Sequence, residues 1–257
     1  MEERYLFIIE AIKEAGERLL LLMNKDVLVS SKEGDYRNIV TSADLEINNF
    51  LINKIKAAFP EEQIYSEETM GKNMAGSFWS IDPIDGTSNF ARRIPHFAIV
   101  LTYLEKNIPI MGAIHNPITG ELFSFKKGEG AFLNGAKMAV SNVKNIKEAY
   151  TILHIGRQEE VRDWGINLHR RLLTSAKKTI NLASSALDIC FLASGRVDAV
   201  IYSAMTTLDV ATAIGLLREA GGEVYDAQGL PAQFNQEPQK IIGASTRELF
   251  NEIVSLN

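Results

Sequence analysis

The chain has 257 residues, a length that fits one large domain or two closely packed halves. Hydrophobic residues make up 46% of it, enough for a substantial core, and a formal charge of −5 argues against direct binding of nucleic acid. The single cysteine, Cys190, excludes an internal disulfide, fits a reducing compartment and lies in an apolar run that predicts core packing. Neither a signal peptide nor a membrane span is recognisable, so we expect a cytoplasmic protein.

The first part of the chain predicts two helices and a short strand. Apolar residues at helical spacing predict an amphipathic helix over residues 5–24. The polar stretch from Ser30 to Asn38 predicts a loop, after which Thr41 or Ser42 can cap a second helix. Residues 63–68 then predict a short strand that leads into two acids.

The middle of the chain changes to the period of β-strands. Three runs rich in β-forming residues are separated by good turn sequences: Phe97 to Leu104, Ile108 to His115 and Glu121 to Lys126. Asn134-Gly135 predicts a further hairpin turn. We therefore expect an antiparallel meander, which makes residues 1–145 an α+β half.

Strands and helices alternate in residues 146–257. The predicted order is strand 150–154, helix 159–174, helix 185–193, strand 199–202, helix 208–220 and strand 223–225. Such alternation predicts a sheet covered by helices. The fold class is therefore α/β, with an α+β first half and an α/β second half packed as one compact unit.

The most informative segment runs from Trp79 to Phe90, where Pro83 stands between two acids, Asp82 and Asp85. Proline cannot continue a strand ladder and disfavours helical geometry in the residue before it, so we expect a sharp turn that brings both carboxylates together. Converging carboxylates repel unless a cation or a proton lies between them. Mg²⁺ prefers such oxygen ligands together with phosphate oxygens.

Two small residues complete this segment. Gly86 allows the backbone to pass close to a ligand, and Thr87 offers a hydroxyl where a helix can begin. Amide groups at the start of a helix attract phosphate. Metal ligands, amides and a hydroxyl within six residues predict phosphate chemistry.

Three other acids, Asp44, Glu67 and Asp209, fall at the ends of predicted elements, where functional side chains are often displayed. Taken singly, each is more readily explained as a helix cap, a partner of the helix dipole or solvated surface. Spacing alone does not unite them in one site.

Several separated blocks, taken together, resemble the inositol monophosphatase family, the lithium-sensitive, Mg²⁺-dependent phosphatases of small alcohol phosphates. The family's central motif is matched by Trp79 to Phe90, and its C-terminal motif by Leu208 to Gly222. Its Glu-Glu and Thr-x-x-Asp segments are matched by Ser66 to Glu68 and by Thr41 to Asp44. The resemblance covers nearly the whole chain and implies a layered α-β-α-β-α sandwich.

The resemblance also implies a site for two to three Mg²⁺ ions. Glu67, Asp82 and the carbonyl of Ile84 would bind the first ion. Asp82, Asp85 and Asp209 would bind the second, which makes Asp82 the bridging ligand. A third, weaker ion would also depend on Glu67.

Catalytic roles follow from the same resemblance. Asp44 and Thr87 would lie beside the attacking water, and Glu67 would be the third catalytic residue. One metal would lower the pKa of a bound water and the other would stabilise the leaving group. The amides of Gly86 and Thr87 would hold phosphate oxygens. Lys32 stands one residue out of register with a family lysine, so its role stays open.

The departures from the family pattern fall where the alcohol part of the substrate is expected. Tyr202 stands where members that act on inositol phosphate often have Glu, and Leu208 replaces the usual Trp. Ser184 and Ser185 lie in the segment that matches the family's Gly-(Ser/Thr)-Ala. With Asp209, both serines and Tyr202 are predicted to line the substrate pocket, and the loss of a polar partner can change selectivity strongly.

The predicted function is therefore Mg²⁺-dependent hydrolysis of a small phosphate monoester, with inositol 1-phosphate as the leading substrate. Fructose 1,6-bisphosphate, histidinol phosphate and a broad range of sugar or polyol phosphates are the alternatives within this chemistry. Family analogy implies lithium sensitivity and a homodimer. A different class of function, non-catalytic partnership with the transcription machinery, is the second alternative. His96 and His115 are predicted to be packing or surface residues.

Overall fold

The structure is a computed structural model that describes residues 1–23, 28–32, 35–66, 68, 76–156, 158–205, 207–232 and 238–256. Within these ranges the side chains of residues 31, 32, 35–39 and 207–210 lie outside the description.

The helices are α1 (Glu2–Met23), α2 (Ser42–Ala58), α3 (Thr87–Ala91), α4 (Glu159–Ser175), α5 (Ser185–Ala193), α6 (Thr207–Glu219) and α7 (Arg247–Ser255). The strands of the first half are β1 (Val29–Lys32), β2 (Asp35–Thr41), β3 (Gln63–Ser66), β4 (Ser77–Asp85), β5 (Ala98–Glu105), β6 (Ile108–Asn116), β7 (Glu121–Lys126), β8 (Gly130–Leu133) and β9 (Ala136–Met138). Those of the second half are β10 (Tyr150–His154), β11 (Lys178–Ile180), β12 (Ala199–Met205), β13 (Glu223–Asp226) and β14 (Gln239–Ala244).

The first half forms a seven-stranded sheet in the order β3-β4-β5-β6-β7-β8-β9, covered on one face by α1 and α2. Strand β3 runs parallel to β4, and the other neighbours are antiparallel. The predicted meander is confirmed, and so is the turn at Asn134-Gly135, where both residues have the positive φ that a tight hairpin turn requires. The apolar faces of the two helices and the sheet share one core, which includes Ile12, Leu51 and Trp79.

The predicted sharp turn at Pro83 is wrong, because β4 continues through the proline. Asp82 pairs with Val100 and Asp85 with Ala98, so the ladder shifts by one residue between these pairs. A shift of this kind leaves one residue outside the ladder, which suits a residue without an N–H donor. The chain turns only at Gly86, whose φ is +83°.

The predicted loop from Ser30 to Asn38 is also wrong in the described part. Strands β1 and β2 form an antiparallel pair, with Val29 opposite Thr41 and Ser30 opposite Val40. Backbone hydrogen bonds make this ladder, and its polar sequence lacks the alternation that identifies a half-buried strand.

The second half forms a five-stranded mixed sheet in the order β11-β10-β12-β14-β13. Helices α5 and α6 lie between the two sheets within one core, while α4 and α7 cover the outer face of the second sheet. The successive layers are therefore helix, sheet, helix, sheet and helix, which confirms the predicted α-β-α-β-α sandwich. Strands β11 and β14 and helix α7 complete this half beyond the elements predicted from the sequence.

Cys190 is buried between the sheets, as predicted, and burial raises the pKa of its thiol well above the ordinary value. The middle core draws residues from both sides of the predicted boundary at residue 145, for example Phe123 and Leu187. The boundary itself stays a prediction.

None of the helices that the structure describes is both long and apolar enough to cross a lipid bilayer.

Candidate active site

The candidate site lies where β4 ends and α2, α3 and α5 begin. The carboxyl-bearing side chains Asp44, Asp82 and Asp85 are all buried, at 2%, 6% and 6% exposure. Burying a carboxylate is costly unless hydrogen bonds or a cation compensate it. Their partners therefore indicate how the site works.

Asp82 closes a local loop around the proline. Its Oδ1 accepts a hydrogen bond from the backbone N–H of Ile84 at 3.1 Å. The Ile84 carbonyl accepts a hydrogen bond from the Thr87 hydroxyl at 2.9 Å. The ladder shift at Pro83 thus places a carboxylate and a carbonyl oxygen at the same strand end.

Asp85 is held by the start of α5. The hydroxyl of Ser184 donates to its Oδ2, the hydroxyl of Ser185 donates to Oδ1 at 2.7 Å, and the N–H of Ala186 donates to Oδ2 at 3.1 Å. Burial nevertheless raises the pKa of Asp85 above its ordinary value, and the neighbouring Asp188 raises it further, against the lowering effect of these hydrogen bonds. A cation beside Asp85 would offset that cost.

Thr87 and Asp44 are in contact. The Thr87 hydroxyl lies 3.3 Å from Asp44 Oδ1 as well as 2.9 Å from the Ile84 carbonyl. Asp44 Oδ2 accepts from the N–H of Thr41 at 2.8 Å and from its hydroxyl, within a complete capping box at the start of α2. Asp44 is therefore a helix cap through one oxygen and a partner of Thr87 through the other.

Gly86 allows the turn after β4 to pack tightly. A Cβ at this position would lie 3.1 Å from the His96 carbonyl and 3.3 Å from Ser184 Cβ, and the positive φ disfavours other residues as well. Asn89 fixes the same part of the chain, which we call the corner (residues 82–89). Its Nδ2 lies 2.7 Å from the His96 carbonyl and 2.9 Å from the Leu182 carbonyl. The corner thus joins the β4 motif to the segment before α5.

Three of the predicted residues cannot be placed by their side chains. Glu67 lies outside the described residues. Asp209 lies on α6 and Lys32 on β1, but their side chains are outside the description. The residue before Glu67 is fixed: the hydroxyl of Ser66, at the end of β3, donates to Asn48 Oδ1 on α2.

Tyr202, predicted to line the substrate pocket, is 2% exposed. Its hydroxyl donates to the Ser185 carbonyl at 2.8 Å, and its ring stacks on His154. Tyr202 therefore supports the segment that holds Asp85.

The donors at this corner fit a hard cation such as Mg²⁺. Asp82, Asp85 and the Ile84 carbonyl offer only oxygen atoms, the ligands that Mg²⁺ prefers. Among the side chains that the structure describes, no three acidic, histidine or cysteine residues meet closely enough to hold a metal by themselves. The other two predicted acidic ligands, Glu67 and Asp209, lie outside that set.

Sequence reasoning missed the cluster behind this corner. Asp188 on α5 is fully buried, and its two oxygens contact Nε2 of His96 and Nε2 of His154. His96 was predicted to be a packing or surface residue. One sign was available, namely an acid in the middle of the apolar run that surrounds Cys190.

The comparisons with known proteins concern the whole chain. The model of the inositol monophosphatase family matches residues 1–256. The fructose-1,6-bisphosphatase/inositol-1-monophosphatase of Thermotoga maritima is 30% identical over 230 residues, which are 90% of this chain and 87% of that protein. The Nus factor SuhB of Xylella fastidiosa is 31% identical over 228 residues, which are 88% of this chain and 82% of that protein.

A solved structure of an IMPase from Thermotoga maritima superposes with a TM-score of 0.88 at 28% identity, covering 99% of this chain and 96% of the other. A match along the whole chain, together with the same fold, shows what kind of enzyme it is. The chain belongs to the inositol monophosphatase family and is a phosphatase that acts on phosphoric monoesters.

Proposed function

We propose that this chain hydrolyses the phosphate monoester of a small polyol with Mg²⁺, and that inositol 1-phosphate is its leading substrate. The observation that carries the proposal is the Thr87 hydroxyl, which lies between Asp44 Oδ1 and the Ile84 carbonyl beside the two buried carboxylates of the β4 end.

Asp82, Asp85 and the Ile84 carbonyl would hold Mg²⁺, together with Glu67 and Asp209. Two to three ions per site remain the expectation. Bound Mg²⁺ supplies an activated water near neutral pH and neutralises charge on the phosphoryl group.

The chain's own residues orient the attacking water. The Thr87 hydroxyl has a single proton, which it donates to Asp44 or to the Ile84 carbonyl. The oxygen of Thr87 can then accept a hydrogen bond from a water molecule, so its lone pairs define where that water is held. Asp44 is held by Thr41 and keeps the threonine in place.

Phosphate would be held by the amides of Gly86 and Thr87. They lie at the turn where the lack of a Cβ on Gly86 lets neighbouring backbone segments approach closely. Ser184 and Ser185 remain the proposed pocket residues, and both hydroxyls donate to Asp85. Ser184 is only 1% exposed, so its proposed part is to hold Asp85. Tyr202 would act through Ser185, whose carbonyl it holds.

The substrate alternatives share this chemistry. The Thermotoga maritima relative is named as both a fructose-1,6-bisphosphatase and an inositol-1-monophosphatase, which supports keeping a sugar phosphate and a polyol phosphate as candidates for this chain. We place the cyclic polyol first because the two serines proposed for the pocket are neutral. Histidinol phosphate, which carries a cationic amine, would gain from a carboxylate there.

Phosphate release from a substrate panel tests the proposal. The panel contains inositol 1-phosphate, glycerol 2-phosphate, fructose 1,6-bisphosphate and histidinol phosphate, each with Mg²⁺ and with EDTA. We expect release only with Mg²⁺, the highest kcat/KM for inositol 1-phosphate, and inhibition by lithium. The substrate assignment fails if another ester is preferred by more than about tenfold.

The same panel addresses the second class of function. A relative of similar identity is named Nus factor SuhB, which favours partnership with the transcription machinery as an alternative. A purely non-catalytic partner would release no phosphate from any ester.

A further inference from the structure

We propose that His154, held by the buried Asp188, is the residue that recognises a hydroxyl on the alcohol part of the substrate, so that the chain selects polyol esters through a histidine acceptor. This inference rests on the proposed function. It assigns a specificity-determining contact to a residue that neither the motif nor the metal chemistry requires.

The first step is position. His154 ends β10, which runs parallel to β12, and it pairs with Tyr202 across the ladder. Strand β12 leads directly towards α6, the helix that carries Asp209. The carboxyl ends of neighbouring parallel strands are where ligands bind in α/β sheets. His154 therefore stands at the same sheet edge as the pocket residues.

The second step is rigidity. The backbone is fixed on both sides of His154, because Asn181 donates to the Leu153 carbonyl at 2.9 Å and the Gly156 N–H donates to the Ser203 hydroxyl at 2.6 Å. The imidazole stacks on the Tyr202 ring, with centroids 5.1 Å apart and planes at 24°. A side chain held in this way loses little freedom when it binds a ligand.

The third step is polarity. A carboxylate accepts hydrogen bonds, so Nε2 of His154 carries the proton that it shares with Asp188 Oδ2. In the neutral imidazole the other nitrogen, Nδ1, is then an acceptor. No described residue makes a hydrogen bond to this Nδ1, and the side chain is 21% exposed. Asp188 therefore fixes the ring of a partly exposed side chain in the tautomer whose Nδ1 is an acceptor.

The fourth step is chemistry. An acceptor beside a neutral aromatic wall suits a hydroxyl, which can donate to Nδ1. Tyr202 cannot provide this acceptor as directly, since its hydroxyl already donates to Ser185 and it is nearly fully buried. His96, on the other oxygen of Asp188, packs its ring against Phe191, so its part is to complete the support of the carboxylate.

Two substitutions separate the contact from its support. Gln reaches as far as Nε2 and can still donate to Asp188, but it offers nothing at Nδ1, so His154→Gln removes the acceptor alone. Asn ends near the position of Nδ1, so His154→Asn restores a polar oxygen there. His169→Gln on α4, which packs on the outer face of the second sheet, is the matched control.

The measurement is the ratio of kcat/KM for inositol 1-phosphate to kcat/KM for 4-nitrophenyl phosphate, which has no alcohol hydroxyl. We expect His154→Gln to lower this ratio about tenfold, mainly through KM, as loss of one hydrogen bond allows. His154→Asn should stay within about threefold of wild type, and His169→Gln should not change the ratio. An unchanged ratio in His154→Gln, or an equal fall in His154→Asn, overturns the contact.

The outcome remains readable if the proposed function fails. If the wild type releases no phosphate from either ester, the proposed function is wrong. Calorimetric titration with inositol 1-phosphate then decides the inference about His154. Binding about tenfold weaker in His154→Gln than in wild type supports it. Equal binding, or none to the wild type, overturns it.

Discussion

At the scale of single residues, the site depends on which oxygen of each carboxylate is already engaged. Asp44 uses Oδ2 for the cap of α2 and Oδ1 for Thr87. Asp85 uses both oxygens for the start of α5. Asp44 therefore fixes a hydroxyl, whereas Asp85 is fixed by hydroxyls, and of the two only Asp44 comes from a sequence typical of a helix cap.

Removing the Thr87 hydroxyl separates catalysis from binding. We expect Thr87→Ala to lower kcat about 100-fold and to change KM by less than about threefold, because the hydroxyl orients the attacking water and need not hold the substrate. Thr87→Ser keeps the hydroxyl and should recover most of the rate. Calorimetry should show Mg²⁺ binding to both variants. A kcat in Thr87→Ala equal to that of wild type would mean that Thr87 has only a structural role at the start of α3.

The serines of α5 are expected to stabilise a buried carboxylate. Ser184→Ala removes one of three donors to Asp85, so we expect the free energy of unfolding without metal to fall by about 1–3 kcal/mol, the range for a hydrogen bond to a charged group. Urea denaturation measures the change. Thr174→Ala, at the exposed end of α4, is the control and should change stability by less than about 0.5 kcal/mol. Equal stability of Ser184→Ala and wild type would mean that Asp85 is neutral in the metal-free protein.

At the scale of elements, the packing of α6 determines where Asp209 lies. This helix lies between the two sheets and packs on the first one through Phe125 of β7. The ring of Phe125 fits between two glycines, Gly112 on β6 and Gly215 on α6: a Cβ at Gly112 would lie 2.9 Å from the ring, and one at Gly215 would overlap it. The position of α6, and with it Asp209, therefore depends on a glycine in the interior of a helix.

Gly215→Ala tests this packing. Alanine favours helix formation by about 1 kcal/mol, yet overpacking a core costs about 1–3 kcal/mol, so we expect a net loss of stability together with weaker Mg²⁺ binding. Circular dichroism during urea denaturation and calorimetry measure the two effects. Phe125→Leu opens space at the same contact, so the double variant should regain Mg²⁺ affinity relative to Gly215→Ala. Wild-type affinity in the single variant would show that α6 does not depend on this contact.

Local patterns predicted elements better than they predicted the site. Strand β10 and helix α5 begin and end where the sequence predicts, because each has a clear period and a clear stop. The strand through Pro83 was missed, since the effect of the ladder shift depends on the neighbouring β5. The contact between Asp85 and Ser184 joins residues 99 positions apart. The two histidines meet Asp188 only because β10, α5 and the segment between α3 and β5 pack together. No spacing rule contains such information.

At the scale of the whole molecule, the packed layers keep two carboxylates out of water, which costs free energy. Asp82 and Asp85 are both 6% exposed, whereas charged groups are normally left in water. The surrounding layers supply the burial energy that keeps them there. We therefore infer that Mg²⁺ binding and global stability are coupled through this corner.

The coupling gives a prediction for Asp82→Asn. A ligand that binds only the folded state at 100 times its Kd adds about 2.7 kcal/mol, which for a chain of this length raises Tm by about 5–10 °C. We expect that rise in wild type on adding Mg²⁺, and its loss in Asp82→Asn, where turnover should also disappear. Without metal the variant should melt at or above the wild-type temperature, because a buried charge has been removed. Glu148→Gln, an exposed substitution remote from the corner, should keep the full rise. A metal-induced rise in Asp82→Asn equal to that of wild type would mean that Mg²⁺ is held elsewhere, and the proposed ligand role of Asp82 would be wrong.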